Sequence, residues 1–368
     1  MRWFYFDLQL RMILNTLLNH YPGLELPIMK SSRLLLTLLA LSSLGAVTAS
    51  AQEKVLNLYS ARHYQTDEAL YANFTRQTGI KINRIEAKED ELLERIRNEG
   101  ANSPADIFLT VDAARLAKAD ELGLFAPVKS RLLEDRIPAN LRSADWFAFS
   151  TRARVIVASK EMVKTEDVQN YEDLANPRLK GKVCSRSGSH PYNISLMAAL
   201  IAHLGEVRAE EWARGVVANF ARAPKGGDTD QIKSVAAGEC GVAVSNTYYL
   251  ARLLRSDKPE DRRMMERVNI IWPNQKSFGT HINISGGGLL KTAPNKESAV
   301  KFLEYLASDD AQRYFADGNN EWPAVASLSL KNPALEAMGK FKADNLPVAT
   351  LAKNAVAAQR IYDRAGWK

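Results

Sequence analysis

Residues 54–110 read KVLNLYSARHYQTDEALYANFTRQTGIKINRIEAKEDELLERIRNEGANSPADIFLT and switch repeatedly between two hydrophobic periods. Alternation of apolar and polar residues predicts strands, because successive side chains of a strand face opposite sides of the sheet. Apolar positions three and four residues apart predict helices that bury one face. The strands are predicted at 54–60, 80–85 and 105–110, and the helices at 66–78, 90–98 and 114–121. This βαβαβα order is typical of a parallel sheet with covering helices.

A second α/β unit follows Trp146. Its predicted strands are 154–158, 182–184 and 240–246, and its predicted helices are 194–203, 210–220 and 230–237. A returning strand and a helix are then predicted at 282–290 and 296–307. We therefore expect two α/β lobes, the first comprising 52–150 and 279–322 and the second comprising 151–278 and 323–368. Ligands of such proteins bind between the lobes, near the carboxyl ends of strands.

The N-terminal region has the layout of a secretory signal peptide. A short basic segment, MKSSR, precedes 14 mostly apolar residues, LLLTLLALSSLGAV, and Ala49-Ser50-Ala51 supplies the small residues of a cleavage site after Ala51. A membrane anchor is the alternative, but the apolar run is shorter than the roughly 20 residues of a membrane span. We expect residues 29–51 to be the signal peptide, residues 1–28 to be an over-extended start, and the mature chain to enter the periplasm without stable membrane insertion.

The composition is that of an ordinary globular protein. Of the 368 residues, 46% are hydrophobic and 25% are charged, which excludes collagen-like and low-complexity classes. The net charge of +7 comes from 49 Lys and Arg against 42 Asp and Glu, interleaved along the chain. Because no basic block is present to follow a phosphate backbone, we expect no nucleic-acid partner.

Two cysteines, Cys184 and Cys240, are the only ones in the chain. In an exported protein an even number of cysteines favours a disulfide, so we predict the pair Cys184–Cys240. Two buried free thiols are the alternative. The predicted disulfide would join the strands at 182–184 and 240–246.

Motifs of common enzymes are scarce. The chain has no P-loop and no G-x-S-x-G motif, and its glycine run at 286–288 lies inside a predicted strand rather than between a strand and a helix. His63, His190, His203 and His281 form no H-x-x-x-H pair of the kind that binds zinc. We therefore predict a binding protein rather than an enzyme.

Tyrosines follow three of the predicted strands. Tyr64, Tyr192 and the pair Tyr248-Tyr249 each come shortly after a strand ends. Packing in an ordinary core is the alternative for the pair. Hard, highly charged cations prefer anionic oxygen ligands, and a phenol with a pKa of about 10 is deprotonated at neutral pH only by a strong Lewis acid. Ferric iron, Fe³⁺, is such an acid.

Four phenolates around Fe³⁺ would leave one net negative charge in the cleft, and a buried charge needs a compensating partner. Arg62, Arg154 and Arg252 lie near the same strand ends and are the candidates for this role. A surface ion pair is the alternative for each of them.

At these residues the sequence resembles the periplasmic ferric-iron-binding proteins of iron ABC transporters, which are bilobal substrate-binding proteins. The resemblance covers essentially the whole chain after residue 51. It is carried by YSARHY (59–64), PADIF (104–108), RSGSHPYN (186–193), GGDTDQI (226–232), NTYY (246–249) and EWP (321–323). It implies an α/β fold of the two-lobed periplasmic-binding-protein type II, with the ligand cleft between the lobes.

The resemblance also implies a set of metal ligands. The paired tyrosines of the family match Tyr248 and Tyr249, and a third tyrosine of the second lobe matches Tyr192. In the tyrosine-rich subgroup, the first lobe supplies a His-Tyr pair that matches His63 and Tyr64. His63 either binds iron directly or lies nearby, whereas Tyr64 is the first-lobe ligand that we expect.

A second subgroup of the family coordinates iron through a His, a Glu that follows the P-A-D strand, and a bound anion. Val111 stands where that Glu is expected here, which favours the tyrosine-rich site.

We therefore predict a monomeric periplasmic protein that captures Fe³⁺, its transported ligand, and delivers it to an inner-membrane ABC permease. The alternatives in the same class are binding proteins for a ferric chelate, a polyamine, thiamine or a phosphonate. The cleft loops contain few of the acids that a large organic cation would require. A secreted α/β enzyme is the alternative from a different class.

Overall fold

The computed structural model describes residues 54–62, 64–325, 328 and 331–368. The predicted signal peptide, its cleavage site and the predicted over-extended start lie outside the described residues, and so does His63. Within the described ranges, no helix is both long enough and apolar enough to cross a membrane.

The described residues form nine strands, of which seven follow one hydrogen-bonded path and two pair with a strand of that path. They are β1 Val55–Ser60, β2 Lys81–Glu86, β3 Ile107–Thr110, β4 Trp146–Ser159, β5 Val183–Cys184, β6 Val242–Asn246, β7 Val268–Ile271, β8 Ile282–Leu289 and β9 Trp322–Pro323. The path runs β2-β1-β3-β8-β4-β6-β5, and β7 and β9 each pair with β4. β1 is parallel to β2 and β3, whereas β8 is antiparallel to β3 and β4.

Helices cover the strands. They are α1 Asp67–Thr78, α2 Glu89–Glu99, α3 Ala113–Glu121, α4 Arg131–Arg136, α5 Pro191–Leu204, α6 Glu206–Ala218, α7 Asp228–Ala236, α8 Thr247–Leu254, α9 Pro259–Glu266, α10 Lys296–Leu306, α11 Asp309–Asn319, α12 Pro333–Ala337 and α13 Val348–Ala365. Short 3₁₀ turns occupy 100–102, 139–141, 165–167, 171–175 and 177–179.

Strand β4 connects two groups of strands. Its first half pairs with β8 and β9, and its second half pairs with β6 and β7. The register of β4 against β8 shifts between Ala148 and Ser150, and β4 passes from β8 to β6 between Ala153 and Arg154. We call the layers around β1–β3 the first lobe and the layers around β5–β7 the second lobe. The chain therefore has the two α/β lobes that the sequence predicts.

The length of β4 is the main difference from the predicted strands. The sequence predicts a strand only at 154–158, whereas β4 has 14 residues and all of them are buried. Its polar members Ser150, Thr151, Arg152 and Arg154 interrupt the apolar pattern, although each is less than 10% exposed. A polar side chain can be buried at such a position because residues distant in sequence supply its partners.

Sequence signals account well for the first lobe. Helix α1 ends where Gly79 adopts a left-handed conformation with φ of 69°, which glycine tolerates without strain. Phe74 on α1 packs edge-on against Phe302 on α10, with ring centroids 5.0 Å apart. These contacts fix the helices on the sheet and so hold the segment between β1 and α1, which carries Tyr64.

The glycine run at 286–288 is explained by close packing of strands. A Cβ atom at Gly287 would lie 2.8 Å from the carbonyl oxygen of Phe108 on the neighbouring strand β3. A side chain here would push β3 and β8 apart, so the run serves the sheet.

The C-terminal helix α13 contacts both lobes. It packs against α3 of the first lobe and against α5 and α6 of the second. Its Tyr362 donates a hydrogen bond to the carbonyl of Asn193 (3.0 Å), and the indole of Trp367 donates to the carbonyl of Arg186 (3.1 Å). These bonds support the loop that leads from β5 to Tyr192.

Candidate metal centre

The four predicted tyrosines occupy the segments that follow three strands. Tyr64 lies between β1 and α1, Tyr192 lies in the first turn of α5, and Tyr248 and Tyr249 lie in the first turn of α8. The amino-terminal turn of a helix favours negative charge, because its free backbone N–H groups point outward. The three second-lobe tyrosines therefore all lie at the amino-terminal ends of helices.

The structure brings the phenols together. The hydroxyl oxygens of Tyr192 and Tyr248 are 2.8 Å apart and share a hydrogen bond. The rings of Tyr248 and Tyr249 are adjacent, with centroids 4.3 Å apart. Tyr64 is close enough that its charge would raise the pKa of Tyr248, so first-lobe and second-lobe phenols share one electrostatic environment.

Burial keeps the phenols protonated when no metal is bound. Burial raises the pKa of Tyr192 to about 12, with a further increase from Tyr249 and an opposing effect of Arg152. Burial is also the main reason that the pKa values of Tyr64 and Tyr248 are raised. At neutral pH these side chains are therefore neutral unless a strong Lewis acid displaces their protons.

Arg152, which was not among the predicted arginines, is a buried cation whose charge interacts with three of the four phenols. Burial alone would lower its pKa, but Glu321, Tyr64, Tyr192 and Tyr248 raise it above the ordinary value. One terminal nitrogen, Nη1, donates to Ser285 Oγ at 3.0 Å and lies 4.0 Å from Glu321 Oε1. No described residue accepts a hydrogen bond from Nε, which leaves this donor for a further partner.

Arg62 is buried beside the first-lobe tyrosine. Its guanidinium carbon lies 4.9 Å from the centroid of the Tyr64 ring. Nε donates to Asp67 at 2.8 Å and Nη1 donates to Glu321 at 3.3 Å. Glu321 therefore lies between Arg62 and Arg152 and links the two guanidinium groups.

Arg154 is buried beside Tyr192, with its guanidinium carbon 5.9 Å from the ring centroid. It shares Asp228 with Arg186, which lies 5.0 Å from the same centroid. The carboxylate oxygens of Asp228 accept from Arg154 at 3.0 Å and from Arg186 at 2.8 Å. Arg252, in contrast, is exposed on α8, and its guanidinium carbon lies 5.8 Å from the Tyr249 centroid.

The role of Asp228 differs from the sequence expectation. The segment GGDT predicts a turn and a helix that begins at Asp230, but α7 begins at Asp228. The side chain of Asp228 is fully buried, and it also accepts a hydrogen bond from the backbone N–H of Asn246 at 2.7 Å. The helix thus begins two residues earlier than predicted, and the burial of Asp228 could not be predicted because its two arginine partners lie far from it in sequence.

The ion pairs around the tyrosines carry a small positive charge. They form two clusters: Arg62, Arg152, Asp67 and Glu321 have no net charge, and Arg154, Arg186 and Asp228 have a net charge of +1. The two clusters together place one excess positive charge beside the tyrosines.

The imidazole of His190, near Tyr192, makes a structural contact. His190 caps α5, and its Nδ1 accepts a hydrogen bond from the Tyr192 backbone N–H at 3.2 Å. Burial, followed by the charges of Arg186 and Arg154, lowers the pKa of His190 to about 3, so the ring is neutral. Among the described residues, no group of three or more His, Cys, Asp or Glu is placed to hold a metal ion.

The predicted disulfide is confirmed. Cys184 and Cys240 are bonded, with their Cα atoms 5.8 Å apart. Cys184 ends β5, which leads to the Tyr192 loop, and Cys240 precedes β6, which leads to Tyr248. The bond therefore ties together the bases of both second-lobe ligand segments.

Two α/β lobes joined through the long strand β4 are the architecture of a two-lobed solute-binding protein. Residues 102–342 match the family of bacterial extracellular solute-binding proteins. The chain belongs to this family, which confirms the prediction of a binding protein rather than an enzyme.

Individual relatives agree with this assignment. Iron uptake protein A1 of Synechocystis sp. is 50% identical, over 86% of this chain and 88% of its own length. The structure of Trichodesmium IdiA (FutA) in complex with iron and citrate has a TM-score of 0.82 and 53% identity, over 85% of this chain and all of that one. The ferric binding protein of Campylobacter jejuni has a TM-score of 0.79 and 44% identity, with coverage of 85% and 100%. These matches confirm the two-lobed periplasmic-binding-protein fold.

Proposed function

We propose that this protein captures Fe³⁺ in the cleft between its lobes and binds it through the phenolates of Tyr64, Tyr192, Tyr248 and Tyr249. His63, which lies outside the described residues, is proposed as an additional ligand or a close neighbour of the metal. The names of the similar iron uptake and ferric binding proteins support the choice of cargo.

One observation carries the proposal: phenols from both lobes meet within a buried network of positive net charge. The hydroxyls of Tyr192 and Tyr248 lie 2.8 Å apart, so one metal ion that displaces their protons could bind both oxygens. Divalent metals with softer preferences would require imidazole or thiolate ligands. Both cysteines are consumed in the disulfide, and His190 is occupied as a helix cap.

Iron binding would favour the closed form. Because Tyr64 belongs to the first lobe and the other tyrosines to the second, the metal bonds to all of them only when the lobes approach each other. We propose the lobe boundaries 52–150 with 279–322, and 151–278 with 323–368. The register shift within β4 near residue 149 supports a boundary there.

Delivery is the second part of the proposal. We propose that the loaded monomer resides in the periplasm, after removal of a signal peptide at Ala51, and passes iron to an inner-membrane ABC permease. Membership of an extracellular solute-binding family supports a location outside the cytoplasm. Growth of a deletion strain under iron limitation, with and without the gene, tests the delivery step.

The binding step is tested by visible spectroscopy. Charge transfer from phenolate to Fe³⁺ should colour the loaded protein red to orange. The double variant Tyr248→Phe/Tyr249→Phe should lose this band and at least about 100-fold in iron affinity, because two anionic ligands are removed.

A matched control removes two phenols elsewhere. Tyr305 lies on α10 and donates to the carbonyl of Leu70, and Tyr314 lies on α11. Tyr305→Phe/Tyr314→Phe should keep both the colour and the affinity. Equal iron binding by the two double variants would contradict the site assignment.

A ferric chelate is a second candidate cargo, because the Trichodesmium relative was solved with both iron and citrate. Loading with ⁵⁵Fe and ¹⁴C-citrate, followed by gel filtration, separates the cases. Retention of citrate in proportion to iron would identify a chelate, and retention of iron alone would identify the free ion.

A further inference from the structure

A buried chain of hydrogen bonds links the two lobes beside the tyrosine site. Asn283 lies on β8, opposite Arg152 of β4. Its side-chain nitrogen donates to Asp112 Oδ2 at 2.9 Å and also to Ser195 Oγ at 2.9 Å. Its side-chain oxygen accepts from the backbone N–H of Ala113 at 3.0 Å. Asp112, Ser195 and Asn283 are each at most 5% exposed.

On the first-lobe side, the chain ends at the start of a helix. Asp112 caps α3, because its Oδ1 accepts from the backbone N–H groups of Ala114 at 2.9 Å and Arg115 at 3.2 Å. The other oxygen, Oδ2, binds Asn283. Asp112 therefore connects the first turn of α3 directly to Asn283.

On the second-lobe side, the chain reaches the helix that carries a proposed ligand. Ser195 is on α5, three residues after Tyr192, so both side chains lie on the same face of the helix. Ser195 Oγ also contacts His281 Nε2 at 2.9 Å. Since Asn283 already donates to Ser195, the serine hydroxyl donates to His281, and all three groups are satisfied.

We propose that Asn283 is a positioning residue that couples closure of the lobes to the placement of Tyr192. This inference rests on the proposed function, because it assigns Asn283 a role in iron retention. An amide is suited to this task because one nitrogen carries two donors, one for each lobe. When α3 and α5 move apart, Asn283 can keep only one of its two partners, and a buried donor without a partner is unfavourable.

The bridge therefore favours the closed arrangement before iron binds and slows opening once iron is present. Its loss removes no phenolate, so the colour of the ferric protein should persist. The rate of iron release and the population of the closed metal-free form should change instead. A purely structural amide would alter the stability of the fold but neither of these two quantities.

The test compares two variants that each replace a buried amide with an apolar side chain of similar size. Asn283→Leu removes the bridge. Asn219→Leu is the control, because Asn219 is 2% exposed and donates to two carbonyls, of Leu174 at 3.0 Å and Asn176 at 2.7 Å, within the second lobe. Both variants should lower the melting temperature.

Two readouts distinguish the variants. With excess chelator, Asn283→Leu should release iron about fivefold faster than the unmodified protein, the factor that corresponds to one average hydrogen bond, while Asn219→Leu releases it at the original rate. Small-angle scattering of the metal-free proteins should give a larger radius of gyration for Asn283→Leu alone. Unchanged release and radius, or equal changes in both variants, would overturn the proposal.

The two proposals fail in different ways. If the unmodified protein binds no Fe³⁺, the proposed function fails, whereas the scattering comparison still tests whether Asn283 holds the lobes together. If Asn283→Leu does not fold, Ser195→Ala removes one arm of the same bridge with a smaller change. Release at the original rate from Ser195→Ala would then overturn the role of the bridge.

Discussion

Arg152 is the residue whose charge most directly opposes that of a ferric tetraphenolate. It is 2% exposed, and its neighbours include Glu321 and three of the four tyrosines. Arg252, the arginine that the sequence favoured near the tyrosine pair, is exposed to solvent, where water screens its charge. We therefore expect substitutions of these two arginines to have very different effects on the affinity for iron.

Neutralising Arg152 should weaken iron binding strongly. Arg152→Gln removes a buried cation from beside the proposed iron centre, while Glu321 keeps its pairing with Arg62. Leaving a buried charge without its partner typically costs about 3 kcal/mol or more, which corresponds to at least about 100-fold in affinity. Arg252→Gln should change the affinity by less than about threefold, as expected for an exposed charge. Competition with a chelator, followed through the charge-transfer band, measures both variants. Equal losses would show that Arg152 has no special role.

Iron binding should release about four protons, one for each phenol. Because burial raises the pKa of Tyr192 to about 12 and also raises those of Tyr64 and Tyr248, the metal-free protein keeps these protons throughout the neutral range. The loaded protein has lost them, so apparent affinity must rise as pH increases and fall as pH decreases. Titration of weakly buffered protein with a ferric chelate, corrected for the protons of the chelate, gives the number. Fewer than two protons would contradict phenolate ligation.

The positions of the proposed ligand tyrosines could be predicted from sequence because each follows a recognisable strand. Tyr64, Tyr192 and Tyr248 could be placed at one edge of the lobes without coordinates. The partners of the charges could not be predicted, because they are distant in sequence. Glu321 reaches Arg62 across 259 positions, and Asp228 reaches Arg154 across 74.

Among the elements, strand β5 depends most on a covalent bond. It has only two residues, and Cys184 at its end is bonded to Cys240, which precedes β6. The loop from β5 to α5 has no other strand to anchor it. The disulfide therefore keeps the Tyr192 loop in register with the strand that leads to Tyr248.

Removing the disulfide should reduce stability more than iron binding. In the chain-entropy model, a closed loop of 56 residues corresponds to about 4 kcal/mol of unfolding free energy, so Cys184→Ala/Cys240→Ala should lose up to this amount. The ferric band should persist, because no ligand is removed. Urea unfolding of the double variant, with reduced and oxidised unmodified protein as controls, measures the effect. Identical midpoints in all three samples would contradict a stabilising role.

The ends of the predicted helices lie within a few residues of those in the structure, but helix α13 and the first half of the crossing strand β4 were not predicted. Gly79 and the apolar spacing before it mark the end of α1 directly. Strand β4 carries buried arginines, and a periodic pattern cannot reveal that Asp228 and Glu321 will neutralise them. The first half of β4 was therefore not predicted, although it forms part of the connection between the lobes.

At the scale of the whole molecule, the proposed site joins tyrosines that neither lobe provides alone. The first lobe supplies Tyr64 and the second supplies Tyr192, Tyr248 and Tyr249, while β4 and β8 connect the lobes beneath them. A metal that needs all four phenolates is bound tightly only in the closed form. Opening of the lobes then separates the ligands and provides a route for release.

The most direct test is a crystal structure of the iron-loaded protein with anomalous scattering measured on both sides of the iron absorption edge. We predict one iron peak between the lobes, bonded to the phenolic oxygens of Tyr64, Tyr192, Tyr248 and Tyr249. An iron peak outside this cluster, or iron held with these hydroxyls still hydrogen-bonded to each other, would contradict ferric capture by the four tyrosines.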